Sequence, residues 1–216
     1  MRRLLIATRN RAKFREISDF ISDLPLKLVS LSDLGIKENV EETEKTYKEN
    51  SKKKALFYAQ KSGLPTIADD GGIEIDVLDG KPGILSRRYF GKNGKDATDE
   101  EIIEAMKKLV KKFSQKKLSA QFKTIVTFAL PNGKEAKLPK VFSQTGIVHG
   151  ILKKPLLKLM QGYPYRSFFY LPKIKKYYHE SDLSKEEEKL YNHRYKAISR
   201  LKPIIKNVIL SEAKNL

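Results

Sequence analysis

The chain of 216 residues is long enough for one α/β domain, or for two lobes that share a sheet, and a core of that size needs no disulfide or metal clip. It contains no cysteine, which excludes disulfides, thiolate zinc sites and thiol nucleophiles, so catalysis would depend on carboxylates, amines, imidazoles or hydroxyls. The net charge of +18 predicts attraction to a polyanion: nucleic acid, an acidic membrane or a nucleotide polyphosphate.

Apolar segments are too short for membrane insertion. The run from Leu4 to Ala7 stops well short of a signal-peptide core, and no other apolar stretch approaches the ~20 residues of a membrane helix. We therefore expect a cytoplasmic protein without a membrane partner. Lysine runs at 52–54, 107–117 and 173–176 carry much of the positive charge and are typical of solvated surfaces.

Strand and helix signals alternate in the first third of the chain. Apolar periodicity and the glycine and proline at helix ends place each element. The predicted elements are a strand at 2–8, a helix from about Asn10, a strand at Leu26 to Leu31, a helix at 46–61, and short strands at Thr66 to Ala68 and Ile73 to Leu78.

Capping boxes open two later helices, because a hydroxyl residue is followed three positions on by glutamate. Thr98 precedes a helix at 99–113, and Ser184 precedes a helix that carries the segment 192–194. Between them, residues 118–130 and 135–149 flank Pro131, Asn132 and Gly133, which predicts a long antiparallel hairpin. A last short helix would begin at Pro203.

No repeat, low-complexity tract or linker marks a domain boundary along the chain. We therefore expect a single domain over 1–216. Early helices, a central hairpin and late helices predict an α/β fold with a mixed sheet flanked by helices.

A polar segment follows the first predicted strand where the next helix begins. It holds Thr8, Arg9, Asn10 and Lys13, which supply hydroxyl, amide and cationic donors beside the free backbone N–H groups of a helix start. Such a segment suits a polyphosphate, although it lacks the glycines of a Walker loop. An N-cap asparagine with surface cations is the alternative.

Two adjacent carboxylates, Asp69 and Asp70, follow a short apolar strand and precede two glycines. The pattern predicts a tight acidic turn at a sheet edge, where the charges repel unless a cation or hydrogen bonds neutralise them. Mg²⁺ prefers one or two carboxylates with phosphate oxygens and water, so this pair with Glu41 or Glu42 would suit a nucleotide-bound ion. An ordinary Asp/Gly turn is the alternative.

Two further pairs could serve a nucleotide. Asn50 and Lys54 lie four residues apart on one face of the predicted helix at 46–61, where the amide could orient and the amine neutralise a phosphate. His193 and Arg194 are adjacent on the later helix. For both pairs, a solvated surface position is the alternative reading.

Taken in order, these segments resemble the motif series of the inosine/xanthosine triphosphate pyrophosphatases, a family that acts on aberrant purine nucleoside triphosphates. Five blocks carry the resemblance, and they span residues 4–200, nearly the whole chain. The blocks are Ala7 to Lys13; Glu41 to Thr43 with Glu49, Asn50, Lys54 and Ala55; Ala68 to Gly72 with Asp76; Pro82, Gly83, Ser86, Arg88 and Tyr89; and His193, Arg194 and Ala197.

The resemblance implies an elongated, two-lobed α/β domain with a central nucleotide cleft, usually homodimeric. The implied reaction is hydrolysis between the α and β phosphates of inosine or xanthosine triphosphate and their deoxy forms, with Mg²⁺ as cofactor. The segment from Thr8 to Lys13 would hold the triphosphate and Lys54 would neutralise it. Asp70 would hold Mg²⁺ and orient or deprotonate the attacking water, with Asp69 in support.

The resemblance also implies a metal-site glutamate and a base pocket. Glu41 or Glu42 would complete the metal site, and His193 and Arg194 would contact the base. Selectivity would come from the 6-oxo edge of hypoxanthine and xanthine, because donors that fit an oxygen would be left unpaired against the amino group of adenine.

Two departures from the family pattern concern the substrate. Gly71 stands where the family has serine, which loses a hydroxyl donor. In the segment 162–167, Tyr163 or Tyr165 could still stack on a purine, but Arg166 replaces an aspartate and cannot accept a hydrogen bond from a base N–H. We expect an altered base preference.

A third departure is one of register. Lys189 lies four residues before His193, whereas the family places a lysine five residues before its histidine. Lys189 is therefore a substrate-contact candidate, with Lys185 or a shifted helix start as alternatives.

Two other functions stay open. The first is a nucleic-acid-binding protein on the same fold, which the positive charge permits but which we favour less. The second is a related nucleotide pyrophosphatase with altered base preference, acting on pyrimidine or modified nucleotides.

Overall fold

The computed structural model describes residues 2–92, 95–132, 140–157, 159–179 and 181–211, with the side chains of residues 210 and 211 left aside. The predicted turn at Gly133 and the start of the second hairpin arm lie outside these residues.

Seven strands and five helices make up the described chain, which confirms the α/β prediction. Short 3₁₀ turns at Asp76–Leu78, Gly83–Leu85 and Arg166–Phe168 join some of them. In chain order the elements are β1 Arg2–Ile6, α1 Arg11–Phe20, β2 Leu26–Ser30, α2 Tyr47–Ser62, β3 Thr66–Ile75, α3 Asp99–Lys112, β4 Leu118–Ala129, β5 Val141–Leu152, β6 Phe169–Leu171, β7 Lys176–Tyr177, α4 Lys185–Tyr191 and α5 His193–Ser211.

The strands form one mixed sheet in the order β2-β1-β3-β4-β5-β6-β7. β1 pairs in parallel with β2, Arg2 opposite Leu26, and in parallel with β3, Leu5 opposite Thr66. β6 pairs antiparallel with both β5 and β7. The mixed sheet predicted from the element order is therefore confirmed, whereas β6 and β7 are too short for sequence periodicity to reveal.

The chain divides into two compact units. Unit 1 contains Met1–Asp70, Thr124–Gly146 and Arg194–Leu216, and unit 2 contains Gly71–Lys123 and Ile147–His193. No linker separates them in sequence, because the boundaries fall inside β3, β4 and β5 and at the start of α5. This placement explains why composition alone indicates no boundary.

Apolar residues of unit 1 form one cluster on each face of its strands. Ile67 of β3 packs with residues of α1 and α5, whereas Ala68 packs with Ala55 and Tyr58 of α2. Neighbouring residues of a strand point to opposite faces, so the two clusters follow from the period of two. Unit 2 has its own core, which includes Phe168, Phe169 and Met106 of α3.

The predicted acidic turn is wrong. Residues 69–72 lie inside β3, an interior strand of the sheet between β1 and β4 rather than a turn at an edge. Neither Gly71 nor Gly72 adopts a positive φ, so the glycines extend the strand instead of reversing it. Hydrogen bonding in the interior of a sheet outweighs the turn preference of the local sequence.

Two helix boundaries near the C-terminus also differ from the prediction. α4 ends at Tyr191, and Asn192 adopts an extended backbone before α5 begins at His193. Pro203, predicted to start a helix, lies inside α5. Its ring is exposed, while Leu201 and Ile205 are buried beside it, so packing of the apolar face keeps the helix continuous.

Candidate active site

β3 places Asp69 and Asp70 on opposite faces of the sheet within unit 1. Alternate residues of a strand share a face. Asp69 therefore lies on the face of Ile67, toward α1 and α5, and Asp70 lies on the face of Ala68, toward α2. Both carboxylates are buried. The strand therefore directs the two adjacent carboxylates to different faces, while Lys13 and Lys54 act on the pKa of both acids.

Asp69 binds two cations. Its Oδ2 lies 3.1 Å from Lys13 Nζ and 3.0 Å from Arg194 Nη2, and Arg194 Nε donates to the same oxygen at 3.1 Å. Burial alone would raise the pKa of Asp69, but Lys13, Arg194 and Lys54 outweigh it and hold the pKa well below its ordinary value. Asp69 is thus a permanent anion that fixes the position of Lys13.

Arg194 joins two buried carboxylates of unit 1. Besides Asp69, its Nη1 donates to Oε2 of Glu16 on α1, and both side chains of the second pair are almost inaccessible to solvent. Sequence reasoning missed Glu16, although it lies three residues after Lys13 and four before Phe20, on the face that packs inward.

Asp70 lies in a second charged group with Lys54, Glu42 and Asn50. Lys54 Nζ donates to Glu42 Oε1 at 2.6 Å and to the backbone carbonyl of Asp69 at 2.6 Å. Burial raises the pKa of Asp70 to about 6 and Glu42 adds to the rise, while Lys54, Lys13 and the Asn50 amide oppose it. Near neutral pH this carboxylate can accept a proton.

Lys54 stays charged in this environment. Burial by itself would lower the pKa of the amine, but the neighbouring Asp70, Glu42 and Asp69 oxygens raise it. Asn50 and Lys54, which share one face of α2, both act on Asp70, and their contact with a phosphate stays a prediction.

The start of α1 is capped by its own side chains. Asn10 Oδ1 accepts hydrogen bonds from the backbone N–H groups of Ala12 at 2.8 Å and Lys13 at 3.1 Å. Thr8 Oγ1 accepts from the N–H of Asn10 at 3.2 Å. The N-cap asparagine of the alternative is therefore present, whereas Lys13 is not a free surface cation because it binds Asp69.

Arg9 holds a loop. Its Nη2 donates to the carbonyl oxygens of Lys37 at 2.7 Å and Glu38 at 2.8 Å. Tyr58 OH of α2 donates to the same Glu38 carbonyl at 3.0 Å. These bonds anchor the segment that leads to Glu42.

The acidic side chains of the described residues do not form a ready-made metal cluster. No group of three or more acidic or histidine side chains is arranged to enclose an ion there. The nearest approach to a donor set is Asp70 with Glu42, whose negative charge raises the pKa of Asp70. Glu41 is exposed, and no described contact joins it to Asp70 or Lys54.

His193 packs inside unit 2. Its Nδ1 lies 2.9 Å from Tyr178 OH, and its ring stacks on Phe122 with centroids 5.2 Å apart. Neither partner was singled out from sequence, because Tyr178 and Phe122 carry no motif and only the fold brings them to the histidine.

Tyr165 and Arg166 are also buried in unit 2. Tyr165 OH donates to the carbonyl oxygen of Ser86 at 2.5 Å, and burial raises the pKa of this phenol. The Arg166 guanidinium lies 3.9 Å from the Tyr163 ring centre and 4.4 Å from that of Tyr178, a cation–π arrangement. In contrast, Lys189 is exposed on α4, and Gly71 is an extended residue of β3.

Among the described residues, no helix combines the length and the apolar character that crossing a bilayer requires.

The Ham1 family model matches residues 4–204, which is most of the chain. The chain belongs to the Ham1 family. Among its Ham1 relatives, a dITP/XTP pyrophosphatase of Geobacter sulfurreducens is 35% identical over 94% of this chain and 96% of its own. A dITP/XTP pyrophosphatase of Thermoanaerobacter pseudethanolicus is 36% identical over the same shares.

Solved structures of the Ham1 family share the fold. A HAM1 protein from Coxiella burnetii superposes with a TM-score of 0.76 at 28% identity, covering 96% of this chain and 100% of that chain. The Ham1 protein of Staphylococcus aureus gives a TM-score of 0.72 at 28% identity, covering 95% and 99%. The family predicted from the motif series is confirmed.

Proposed function

We propose that this Ham1 protein hydrolyses inosine and xanthosine triphosphates and their deoxy forms to the monophosphate and pyrophosphate. The observation that carries the proposal is Asp70, a buried carboxylate with a pKa near 6 that lies beside Lys54 and Glu42. The names of the two relatives, both dITP/XTP pyrophosphatases, support the same reaction.

The protein's own side chains suit the steps of this reaction. Asp70 orients a water molecule and takes its proton as the water oxygen attacks the α-phosphorus, and the bond to the β-phosphate oxygen breaks. Lys13 and Lys54 neutralise the phosphate oxygens and the leaving pyrophosphate. Asp69 touches Lys13 and so acts as its positioning residue.

The donor set fits Mg²⁺. Asp70 and Glu42 would hold the ion, because Mg²⁺ takes one or two carboxylates together with waters and substrate phosphates. When bound, the ion would supply charge neutralisation and polarise the phosphoryl group. We assign Glu42 rather than Glu41 to this role, since Glu42 is the glutamate that Lys54 binds.

The base would be recognised by residues predicted from the motif series. We propose His193, Tyr165 and Arg166 for this pocket, and we keep Lys189 as a substrate contact. Burial of Arg166 against two tyrosines supports an effect on base preference through pocket shape rather than through a hydrogen bond to the base. Arg194, which binds Asp69 and Glu16, is better supported as a positioning residue than as a base contact.

We also propose roles for the polar residues around the start of α1. Thr8 and Asn10 would shape the start of α1, Arg9 would hold the loop at 36–38, and Gly71 would leave space beside the acids. We further propose a single domain over 1–216, a homodimer and a cytoplasmic location; a monomeric mass in sedimentation would contradict the dimer.

The test is pyrophosphate release from inosine, xanthosine, guanosine, adenosine and pyrimidine triphosphates with Mg²⁺. Wild type should prefer the 6-oxo purines inosine and xanthosine triphosphate. Asp70→Asn should lose roughly 10²-fold or more in kcat, because general-base contributions are of that order. Asp19→Asn, an exposed aspartate on α1, is the matched control and should keep full activity.

Three outcomes would count against the proposal. Equal activity of Asp70→Asn and Asp19→Asn would remove Asp70 from the chemistry. A preference for pyrimidine or modified nucleotides would favour the alternative pyrophosphatase of altered base preference. Absence of pyrophosphate release from every substrate would favour the nucleic-acid-binding alternative.

A further inference from the structure

Unit 2 contains a groove that the proposed reaction does not use. We define it as the basic groove: it follows the C-terminal part of α3 and the ends of β5 and β7, and has a volume of about 890 Å³. Six lysines line it and no aspartate or glutamate does. The lysines are Lys107, Lys111, Lys116, Lys117, Lys153 and Lys154.

Most of these lysines have no carboxylate partner within the described parts of the chain. Lys107 forms an exposed ion pair with Glu104 at 2.7 Å, and the Lys153 amine lies 3.5 Å from the Tyr170 ring centre. No described salt bridge involves Lys111, Lys116, Lys117 or Lys154. Such a set of unneutralised cations around a concavity concentrates positive potential and attracts a polyanion.

The basic groove continues into a second one. A neighbouring groove of about 400 Å³ shares Lys117 and Ile151 with it and adds Lys173 and His149. Asp76 is the one acidic residue in the lining of the second groove. The second groove adds length rather than net charge, since Asp76 offsets Lys173, and a longer concavity suits a linear polyanion better than a single nucleotide.

Two aromatic side chains lie among the lysines of the basic groove. Phe113 and Tyr177 line the basic groove and are half-buried. Lys112 and Lys116 flank the Phe113 ring, with their amines 5.4 and 6.0 Å from its centre. A base can stack on such a ring while the backbone phosphates contact the neighbouring amines, the combination that single-strand-binding grooves use.

We infer that the basic groove binds single-stranded nucleic acid, a function separate from the triphosphate hydrolysis proposed above. A duplex keeps its bases stacked inside and offers none to Phe113, whereas inorganic polyphosphate has no bases at all. The inference rests on the charge, the aromatic rings and the continuity of the two grooves.

The experiment measures binding of the full chain to a fluorescein-labelled oligothymidylate of ~20 nucleotides, longer than the ~4–16 that one such groove covers. Fluorescence anisotropy is recorded between about 0.05 and 0.2 M salt. Replacing Lys111, Lys116 and Lys117 by glutamine should lower the magnitude of the salt slope by about 2, at ~0.7 per phosphate contact, and weaken binding on the order of 100-fold near ~0.1 M salt.

The matched control replaces Lys27, Lys52 and Lys206, three exposed lysines of unit 1, with glutamine. It removes the same charge and should change affinity less than about threefold, since only diffuse attraction is lost. Both triple variants should release pyrophosphate at the wild-type rate, which also shows that they fold.

A third variant separates a nucleic-acid site from a general polyanion site. Phe113→Leu keeps every lysine, and it should weaken oligothymidylate about tenfold through lost stacking while leaving competition by inorganic polyphosphate unchanged. Equal effects of the two triple variants, or an oligothymidylate affinity indifferent to Phe113→Leu, would overturn the inference.

Discussion

At the scale of single residues, the site depends on charges that are buried together. Arg194 neutralises Glu16 and Asp69, and its own side chain is 4% exposed. Breaking a buried ion pair by removing one partner is costly because the remaining charge has neither water nor a counter-ion. The main effect of Arg194 is therefore to hold Asp69 and Lys13 in one arrangement.

We expect Arg194→Met to lower the free energy of unfolding by about 3–5 kcal/mol, the range for a buried charge left alone. Urea titration measures it. Arg200→Met is the control, since Arg200 is an exposed arginine of the same helix that donates to the Thr145 carbonyl at 2.9 Å. Adding Glu16→Gln to Arg194→Met should recover part of the loss; similar unfolding of the two arginine variants would contradict the role.

The pKa of Asp70 leads to a pH-dependent stability. Its folded value of about 6 exceeds the ordinary 3.8, so between about pH 4 and 6 the folded state binds the extra proton. Stability from this group is therefore full at low pH and falls as pH rises through that window, by at most roughly 3 kcal/mol. Asp69, whose pKa is lowered, acts in the opposite sense and stabilises above its unfolded pKa.

Without Mg²⁺, Asp70→Asn should therefore be more stable than wild type at pH 7, by roughly 1–3 kcal/mol. The advantage should shrink toward pH 4, where wild-type Asp70 is protonated and its burial costs little. Thermal unfolding across this range checks the sign, with the exposed Asp19→Asn as reference. An advantage that is constant with pH would show that the effect is not one of ionisation.

At the scale of elements, β3 determines which groups the two acids meet. A turn would direct Asp69 and Asp70 to the same side, whereas the strand sends one toward α1 and α5 and the other toward α2. The helices then deliver the cations: Lys13 from α1, Lys54 from α2 and Arg194 from α5. The arrangement of charges around the two acids thus follows from the alternation of one strand.

Helix starts show what local sequence can decide. The predicted capping boxes of α3 and α4 are both present, with Thr98 and Glu101 in the first and Ser184 and Glu187 in the second. Gly63 ends α2 with a left-handed φ of 66°, as expected of a glycine at that position. These interactions span only three or four residues, so the sequence reports them directly.

Thr98→Ala should cost about 1 kcal/mol of unfolding free energy, the usual loss when an N-cap hydroxyl is removed. The Glu101 N–H, which donates to Thr98 Oγ1 at 3.2 Å, would lose its partner. Thr98→Ser keeps the hydroxyl and should stay close to wild type. Equal losses in chemical denaturation for both variants would mean that the methyl group, not the cap, matters.

At the scale of the whole molecule, positive charge dominates. The net charge of +18 attracts a substrate with several negative charges from a distance, and added salt screens this attraction. The charge is not confined to the acid-rich site of unit 1, since the basic groove of unit 2 carries six lysines.

We expect kcat/KM for inosine triphosphate to fall roughly tenfold between about 0.05 and 0.5 M potassium chloride, because electrostatic attraction weakens as the Debye length shortens. The fall should lie in KM, with kcat nearly constant at saturating substrate and Mg²⁺. Steady-state kinetics at matched viscosity tests it. A kcat/KM independent of salt would show that the excess positive charge does not attract this substrate.

The sequence by itself determined the family, the fold class and most of the elements. The order of its motif blocks along the chain identified the family. Helix caps and apolar periodicity identified the elements, because they involve residues that are close together both in sequence and in space. The sequence alone could therefore name Asp70, Lys54 and Lys13 as candidate site residues. It could also name Glu41 and Glu42 as alternatives, but it could not choose between them.

Only the tertiary structure decided the partners. Arg194 lies 125 residues from Asp69 and 178 from Glu16, so no local pattern reports their contact. The same holds for β3, which forms one strand because it pairs within a sheet, and for α5, which continues through Pro203 because its apolar face is packed. Burial and pairing between distant segments outweighed the local preferences of glycine and proline, and they alone set the charge environment of the two aspartates.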